Sequence, residues 1–366
     1  MNDLYVYSVF NGLLDRGLVP YRDFTYEYPP LSLVPIHLPH LIGGAYATWL
    51  GVEMLLAALV LQGLVGALGG RRAAWAFAIA PLLIGAQIRT HFDVVPAAMV
   101  LGALVLLVRG GPTAGMALLG IGGLTKLFPL LLVPIAAAWL VGRGQGRAAV
   151  RGVAVCAAVV VVGLLPFALS GTGGLRDMVR FHLDRPVQIE STPATVVFML
   201  GDPVITGTNL TPDRYKSNGV EDPVAAPAEA VCMLLMLGVL VLAIAAAARR
   251  PDAEGLLLPA LAGVLAFVAL GKVLSPQYMI WLAPFAAVAW GRGRRGVAVA
   301  LALAIALTQT WFPAGYFDLI NRDGRAVAEV AARNVILLVV LGSTAAGLAR
   351  WLRPAAAPVR SARARP

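Results

Sequence analysis

Along this chain, long uncharged apolar runs alternate with short connectors that carry arginine. Runs at 44–69, 73–89, 92–109, 149–169, 227–248, 255–272, 276–290, 296–312 and 333–349 approach the roughly 20 residues that a helix needs to cross a bilayer. They predict nine full spans. Residues 113–141 run from one arginine cluster to the next, so the chain goes across and comes back, and 29 residues are too few for two crossings. That segment predicts two short helices meeting at a turn near TKLFP, 125–129, with Lys126 at the tip facing a cavity. Broken helices at membrane depth need protein or a water-filled cavity around them. The short alternating segments of a membrane barrel are not the pattern here. The fold class that follows is all-α: a polytopic transmembrane protein with nine spans and one broken-helix pair.

Composition agrees, with 59% apolar residues and 13% charged among 366. A soluble domain of this size cannot hide that much apolar surface. Cys156 and Cys232 lie inside apolar runs and read as small core residues, not as a disulfide or metal framework.

The net charge of +10 changes the picture through its placement. Arg71, Arg72, Arg109, Arg143, Arg147, Arg151, Arg249, Arg250, Arg292, Arg294 and Arg295 sit in short connectors, and five more arginines lie in 350–366. If all face the cytoplasm, that side carries only two acids, Asp252 and Glu254, and the positive-inside rule fixes the orientation. The charge is then a topology signal and a contact for anionic lipid, not a nucleic-acid patch. Residues 1–349 form one membrane domain and 350–366 a basic cytoplasmic tail. The outside receives 1–43, the RTHFD turn at 89–93, the long loop 170–226 and 313–332. Those segments hold nearly all the carboxylates and all four histidines, His37, His40, His91 and His182. Chemistry therefore belongs to the external face.

Several motifs there carry candidate chemistry. GIGGLTK at 120–126 lacks phosphate-loop spacing and a preceding strand; its glycines suit close helix packing. Lys126 itself is costly in a membrane, and a point charge for a phosphate headgroup is its functional reading, a snorkelling lysine the plain one. In VRFHLDRPVQIEST, Arg180, His182 and Arg185 can clamp a phosphate with Glu190 orienting them, although charge runs are often only solvated faces. SPQY at 275–278 interrupts an apolar stretch, and Arg89, His91 and Asp93 form a compact polar turn; each also reads as a simple interfacial turn. The stretch YRDFTYEYPP at 21–30 carries Asp23 and Glu27 among four rings, and its prolines start a helix over 30–42 lying at the outer interface.

The ordered set DLYVY (3–7), GLVPYRDF (17–24), EYPPL (27–31), TKLFP (125–129), His182 to Glu190, and SPQY (275–278) resembles the GT-C membrane glycosyltransferases. More narrowly, it resembles the family 87 branch of polyprenyl-phosphate-mannose-dependent α-mannosyltransferases. The resemblance implies an outward-facing membrane enzyme that moves a sugar, mannose in the family, from a polyprenyl-phosphate carrier to an acceptor hydroxyl with inversion. It implies a base at Asp3, the aspartate of a D-x-x-x-Y context, and a sugar or acceptor pocket shaped by Tyr7, Asp23, Glu27 and Tyr28. Lys126, Arg180, His182 and Arg185 would hold the donor phosphate, with Asp93, Glu190, Gln277 and Tyr278 in support. The leaving group is a monophosphate, so no metal and no cofactor is expected. The expected partners are a polyprenyl-phosphate-linked sugar, a glycolipid or glycan acceptor of the cell envelope, and the bilayer of the cell membrane. In the family a transmembrane helix precedes the aspartate, whereas this chain starts two residues before it; the expectation is that the true start lies upstream or that the first helix has been lost. The rival class is a lipid or sugar transporter or flippase, which predicts inverted repeats and ionisable residues near the midplane. A non-catalytic scaffold gives no reason to keep Lys126 at membrane depth.

Overall fold

The computed structural model describes residues 3–207 and 218–353 and consists almost wholly of helices. The first, α1 (Asp3–Leu14), buries Val6, Tyr7, Phe10 and Asn11 along one stripe. That spacing is helical, so the segment expected to open as an external loop is ordered from Asp3 onward. After an irregular stretch, Pro29 holds the chain extended, Pro30–Ser32 makes one 3₁₀ turn, and α2 (Leu33–Leu41) follows. This is the short proline-led helix expected over 30–42.

Next, α3 (Tyr46–Ala78) is bent at Gly70, whose φ of +77° suits glycine and divides the two apolar runs expected on either side. The second run ends in two short turns, α4 (Ala80–Ile84) and α5 (Gln87–Thr90). There follow α6 (Val94–Val108), α7 (Pro112–Thr125), α8 (Leu132–Gly142) and α9 (Gly146–Ser170). The expected broken pair is thus α7 and α8, joined through Lys126, Leu127 and a 3₁₀ turn at Phe128–Leu131. Gly123 lies so close to Leu130 that a β-carbon there would collide with it, the close packing expected of the glycines before Lys126.

The loop expected over 170–226 carries more structure than its composition suggested. It holds α10 (Thr172–Asp184), β1 (Val187–Gln188), α11 (Thr192–Leu200), β2 (Val204–Thr206) and β3 (Gly219–Glu221), the strands forming an antiparallel sheet in the order β1-β3-β2. The chain continues through α12 (Ala225–Ala247), α13 (Glu254–Leu270), α14 (Met279–Gly291), α15 (Arg295–Trp311), α16 (Tyr316–Ile320) and α17 (Gly324–Leu352). The tail arginines Arg360, Arg363 and Arg365 lie outside the described residues.

Four helices, α3, α9, α12 and α17, are long and apolar enough to cross a membrane, and at most 28% of the apolar window of any of them is buried. Leu55, Leu59, Val161, Val162, Leu234, Val241, Val335 and Val339 point outward from them. Such a continuous exposed apolar surface is unstable in water and suits lipid. The protein is a multi-pass membrane protein. Each of the expected apolar runs falls on helix: four are these long helices, and the others include shorter apolar helices such as α6, α13 and α15. Polar residues stand at their ends: α6 starts after Asp93, α7 ends at Lys126, and α13 ends two residues before Lys272. Helix ends at that depth are tolerable where protein surrounds them, and α13 and α14 are buried on nearly every side.

The connectors divide the bundle into two ends. At one, Trp139 donates to Asp252 O (2.8 Å), Arg143 to Pro251 O (2.6 Å), Arg292 to Leu68 O (3.0 Å) and Arg294 to Glu254 (2.7 Å), which ties the arginine-bearing turns together. Helices α6 and α14 run toward that end, and α7 and α13 run back from it. Asp93, Lys126 and SPQY are thereby brought together at the other end.

Candidate active site

The opening stretch folds as a plate of aromatic rings. Phe10, Phe24, Tyr26 and Tyr28 meet edge to face or stacked, and Tyr7 packs against Tyr28 and Phe92. The Tyr21 hydroxyl donates to Tyr28 O, and Tyr26 and Ser32 share a hydrogen bond of 2.7 Å. Gly174 lets α10 press on this loop, since a side chain there would strike the Tyr21 backbone. At the far end of α10, His182 Nε2 donates to Glu27 O at 3.0 Å. The loop is thus clamped between α1 and α10, and it sets Glu27 and Tyr28 into the wall of a cavity.

That cavity, of about 150 Å³, collects residues from five stretches of the chain, 3–6, 27–29, 126–128, 181–188 and 267–281. Asp3 enters from the first turn of α1, where a carboxylate meets the positive end of the helix dipole. His91, at the end of α5, reaches the Asp3 carboxylate at 3.2 Å through Nε2. Its other nitrogen lies 3.0 Å from Thr90 Oγ1 and 3.2 Å from Gln87 O. Burial pushes the His91 ring toward the neutral form, but the Asp3 and Asp93 charges outweigh it and raise its pKa.

Lys126 lies at the C-terminal cap of α7, where a cation is favoured. Its ammonium contacts Asp93 Oδ1 at 2.6 Å, and Trp281 Nε1 donates to the same oxygen at 2.7 Å. Asp93 is 0% exposed and the Lys126 side chain only 12%. The rings of Phe92, Trp281, Tyr28 and Tyr278 surround the ammonium at 4.9, 5.4, 5.8 and 6.0 Å. Trp281 stacks between Phe128 and Tyr278, each with ring centroids 4.0 Å away. A cation this dry and this caged is fixed in place, and its charge is poorly screened.

Arg185 brings a second cation into the cavity. Its guanidinium lies over the Phe181 ring at 5.3 Å, and its buried Nε has no hydrogen-bond partner. His182 lines the cavity too, but burial and the nearby Arg185 charge lower its pKa to about 4. Near neutral pH it is an uncharged tether for the opening loop. Gln277 and Tyr278 line the cavity, with Gln277 Oε1 accepting from Ser275 Oγ at 2.6 Å.

Other expected residues fall outside it. Asp23 is bonded to Val19 N at 2.7 Å and to Arg22, so it holds the opening turn. Arg180 is exposed on α10, away from the cavity lining. Tyr7 is fully buried beneath Tyr28. Glu190 is buried behind the site, where its carbonyl accepts from Arg333 (2.7 Å) and Asn334 (3.2 Å) of α17.

Burial raises the Glu190 pKa to about 7, with Arg333 and Tyr316 only partly opposing it. A raised folded-state value stabilises most below the ordinary carboxyl range, and that contribution is lost as pH rises through 7. Glu190→Gln is therefore expected to raise the melting temperature in detergent at pH 8 and to change it little at pH 5. The linkage is worth at most about 3 kcal/mol. An equal change at both pH values contradicts this reading.

Several residues of the site carried little signal in the sequence. Trp281 sits in an apolar run, and only its tie to Asp93 marks it. Arg333, 0% exposed beside Trp311, did have a signal: a charge among apolar residues at the start of the last run. Gln87 had none beyond polarity at the end of a run.

The multi-pass helical bundle thus opens at one end into a cavity that brings together a carboxylate, a caged ammonium and a guanidinium. The model of glycosyltransferase family 87 matches residues 24–276, which is most of the chain, and the protein belongs to that family. It is a membrane glycosyltransferase. No curated protein and no solved structure matches the chain.

Proposed function

We propose that this cavity takes a sugar carried on a polyprenyl phosphate and transfers it, with inversion, to an acceptor hydroxyl on the extracytoplasmic face of the cell membrane. The observation that carries the reading is the meeting of Asp3 with Lys126 and Arg185 in one cavity at the end of the bundle opposite the short arginine-bearing connectors. A lipid-linked donor keeps its chain in the bilayer and its phosphate at such a helix end. The buried Arg185 Nε, which lacks a protein partner, is a ready donor to a phosphate oxygen.

In the reaction, Asp3 takes the proton of the acceptor hydroxyl as its oxygen attacks the anomeric carbon. The bond from that carbon to the phosphate oxygen breaks, and the polyprenyl phosphate leaves with the electron pair. Lys126 and Arg185 stabilise the charge that grows on the leaving phosphate. Attack from the face opposite the phosphate inverts the configuration. His91 holds the Asp3 carboxylate, and Glu27 and Tyr28 flank the sugar. Mannose is the sugar that the family resemblance favours, with a glycolipid or glycan of the cell envelope as acceptor.

Two measurements test the donor. Membranes holding the protein should transfer label from polyprenyl-phosphate mannose and not from a nucleotide sugar. Arg185→Ala should raise the KM for the lipid donor by about 10- to 100-fold, the loss of one charged hydrogen bond. An unchanged KM removes Arg185 from the phosphate site, and transfer from the nucleotide sugar alone sinks the carrier assignment.

A further inference from the structure

A second cavity, of about 340 Å³, lies beside the first and shares Asp3, Gln188, Ser275 and Gln277 with it. Asp3 therefore stands in the partition, open to both. The two linings differ in chemistry. The first carries Lys126 and Arg185. The second presents the rings of Phe312, Tyr316 and Phe317, the amides of Gln87 and Asn218, the Thr90 hydroxyl, and the His91 ring whose charge is matched by the Asp3 carboxylate.

Its amides lack partners. Gln87 is 2% exposed, yet neither its Nε2 nor its Oε1 finds a hydrogen bond in the protein. The same holds for Asn218 Oδ1 and Gln188 Oε1, in side chains that are also buried. Asn218 spends its Nδ2 on the Tyr316 hydroxyl at 3.0 Å, which fixes its remaining oxygen. Buried amides are normally satisfied, so three unsatisfied ones around one space call for a ligand with several donors and acceptors. Rings beside them suit the apolar faces of a pyranose. Phe317, 66% exposed, stands at the mouth.

We infer that the second cavity is the acceptor subsite and that it takes an uncharged sugar ring, whose hydroxyl is delivered to Asp3 across the partition. This rests on the donor assignment for the first cavity. With the phosphate held by Lys126 and Arg185 in the first cavity and the acceptor in the second, the hydroxyl beside Asp3 can meet the anomeric carbon from the side opposite the leaving phosphate, as inversion requires. The saccharide headgroup of a membrane glycolipid and a free oligosaccharide share this chemistry.

The test measures binding by purified, reconstituted protein, with mannobiose and octyl α-mannoside as saccharide probes and polyprenyl phosphate as the donor-site probe. Gln87→Leu keeps the shape of the side chain and removes its orphaned amide; Phe317→Ala alters an exposed ring and leaves the core intact. Each is expected to weaken saccharide binding by about tenfold or more and to leave polyprenyl phosphate binding unchanged. Tighter binding of octyl α-mannoside supports a lipid-anchored acceptor, and equal binding of the two supports a free glycan. Saccharide binding that survives both substitutions, or that falls only in step with polyprenyl phosphate binding, overturns the proposal. A wild type whose saccharide binding is sensitive to Gln87 but which transfers nothing from any polyprenyl-phosphate sugar keeps the saccharide subsite and sinks the donor reading instead.

Discussion

Lys126→Met is expected to cost about 10²–10³-fold in sugar transfer, the scale of losing one preorganised charge at a developing anion. The ammonium is caged by four rings and paired with a fully buried carboxylate, so little water is present to replace it. The substitution also strands Asp93, which keeps only the Trp281 N–H on Oδ1. An unpaired buried charge costs about 3–5 kcal/mol, enough to threaten the fold. The pair Lys126→Met with Asp93→Asn separates the two effects. The double variant should recover thermal stability and remain inactive, as read by melting in detergent beside a transfer assay. Recovery of transfer in the double variant would show that Lys126 serves the fold and not the leaving phosphate.

Asp3→Asn is the second large effect. Loss of a general base lowers kcat by about 10²–10⁴-fold. Asparagine has the same shape and still meets His91, so donor binding should be preserved and the fall should appear in kcat with the donor KM unchanged. The same kcat as wild type removes Asp3 from the chemistry. A rise in donor KM alone would make it a binding residue.

Much of this was legible in the sequence, for physical reasons that differ by element. The long helices announce themselves because a bilayer demands about 20 apolar residues in a row. The break at Lys126 was visible because 29 residues cannot cross twice. Helix α1 was hidden, since Val6, Tyr7, Phe10 and Asn11 make a short stripe that reads equally well as a polar loop. The three strands are two or three residues long, too short for alternation to register. Of the site, Asp3, Glu27, Lys126, His182, Arg185, Gln277 and Tyr278 meet at one cavity. Asp23 and Arg180 have the same chemistry as these but point elsewhere, because local spacing says nothing about which way a loop turns. The partnerships were out of reach for the same reason. Asp93 meets Lys126 across 33 residues and Trp281 across 188, contacts that only the packed bundle creates.

The proposed function stands on one event, the departure of a sugar from a polyprenyl phosphate in the cavity where Asp3, Lys126 and Arg185 meet. Its most direct test reconstitutes the purified protein in liposomes with polyprenyl-phosphate mannose labelled in the sugar, together with a mannoside acceptor. Label is expected to move from the carrier to the acceptor, free polyprenyl phosphate to appear in equal amount, and the new bond to have the anomeric configuration opposite to the donor's. Label that stays on its carrier and merely exchanges between leaflets would contradict the proposed function.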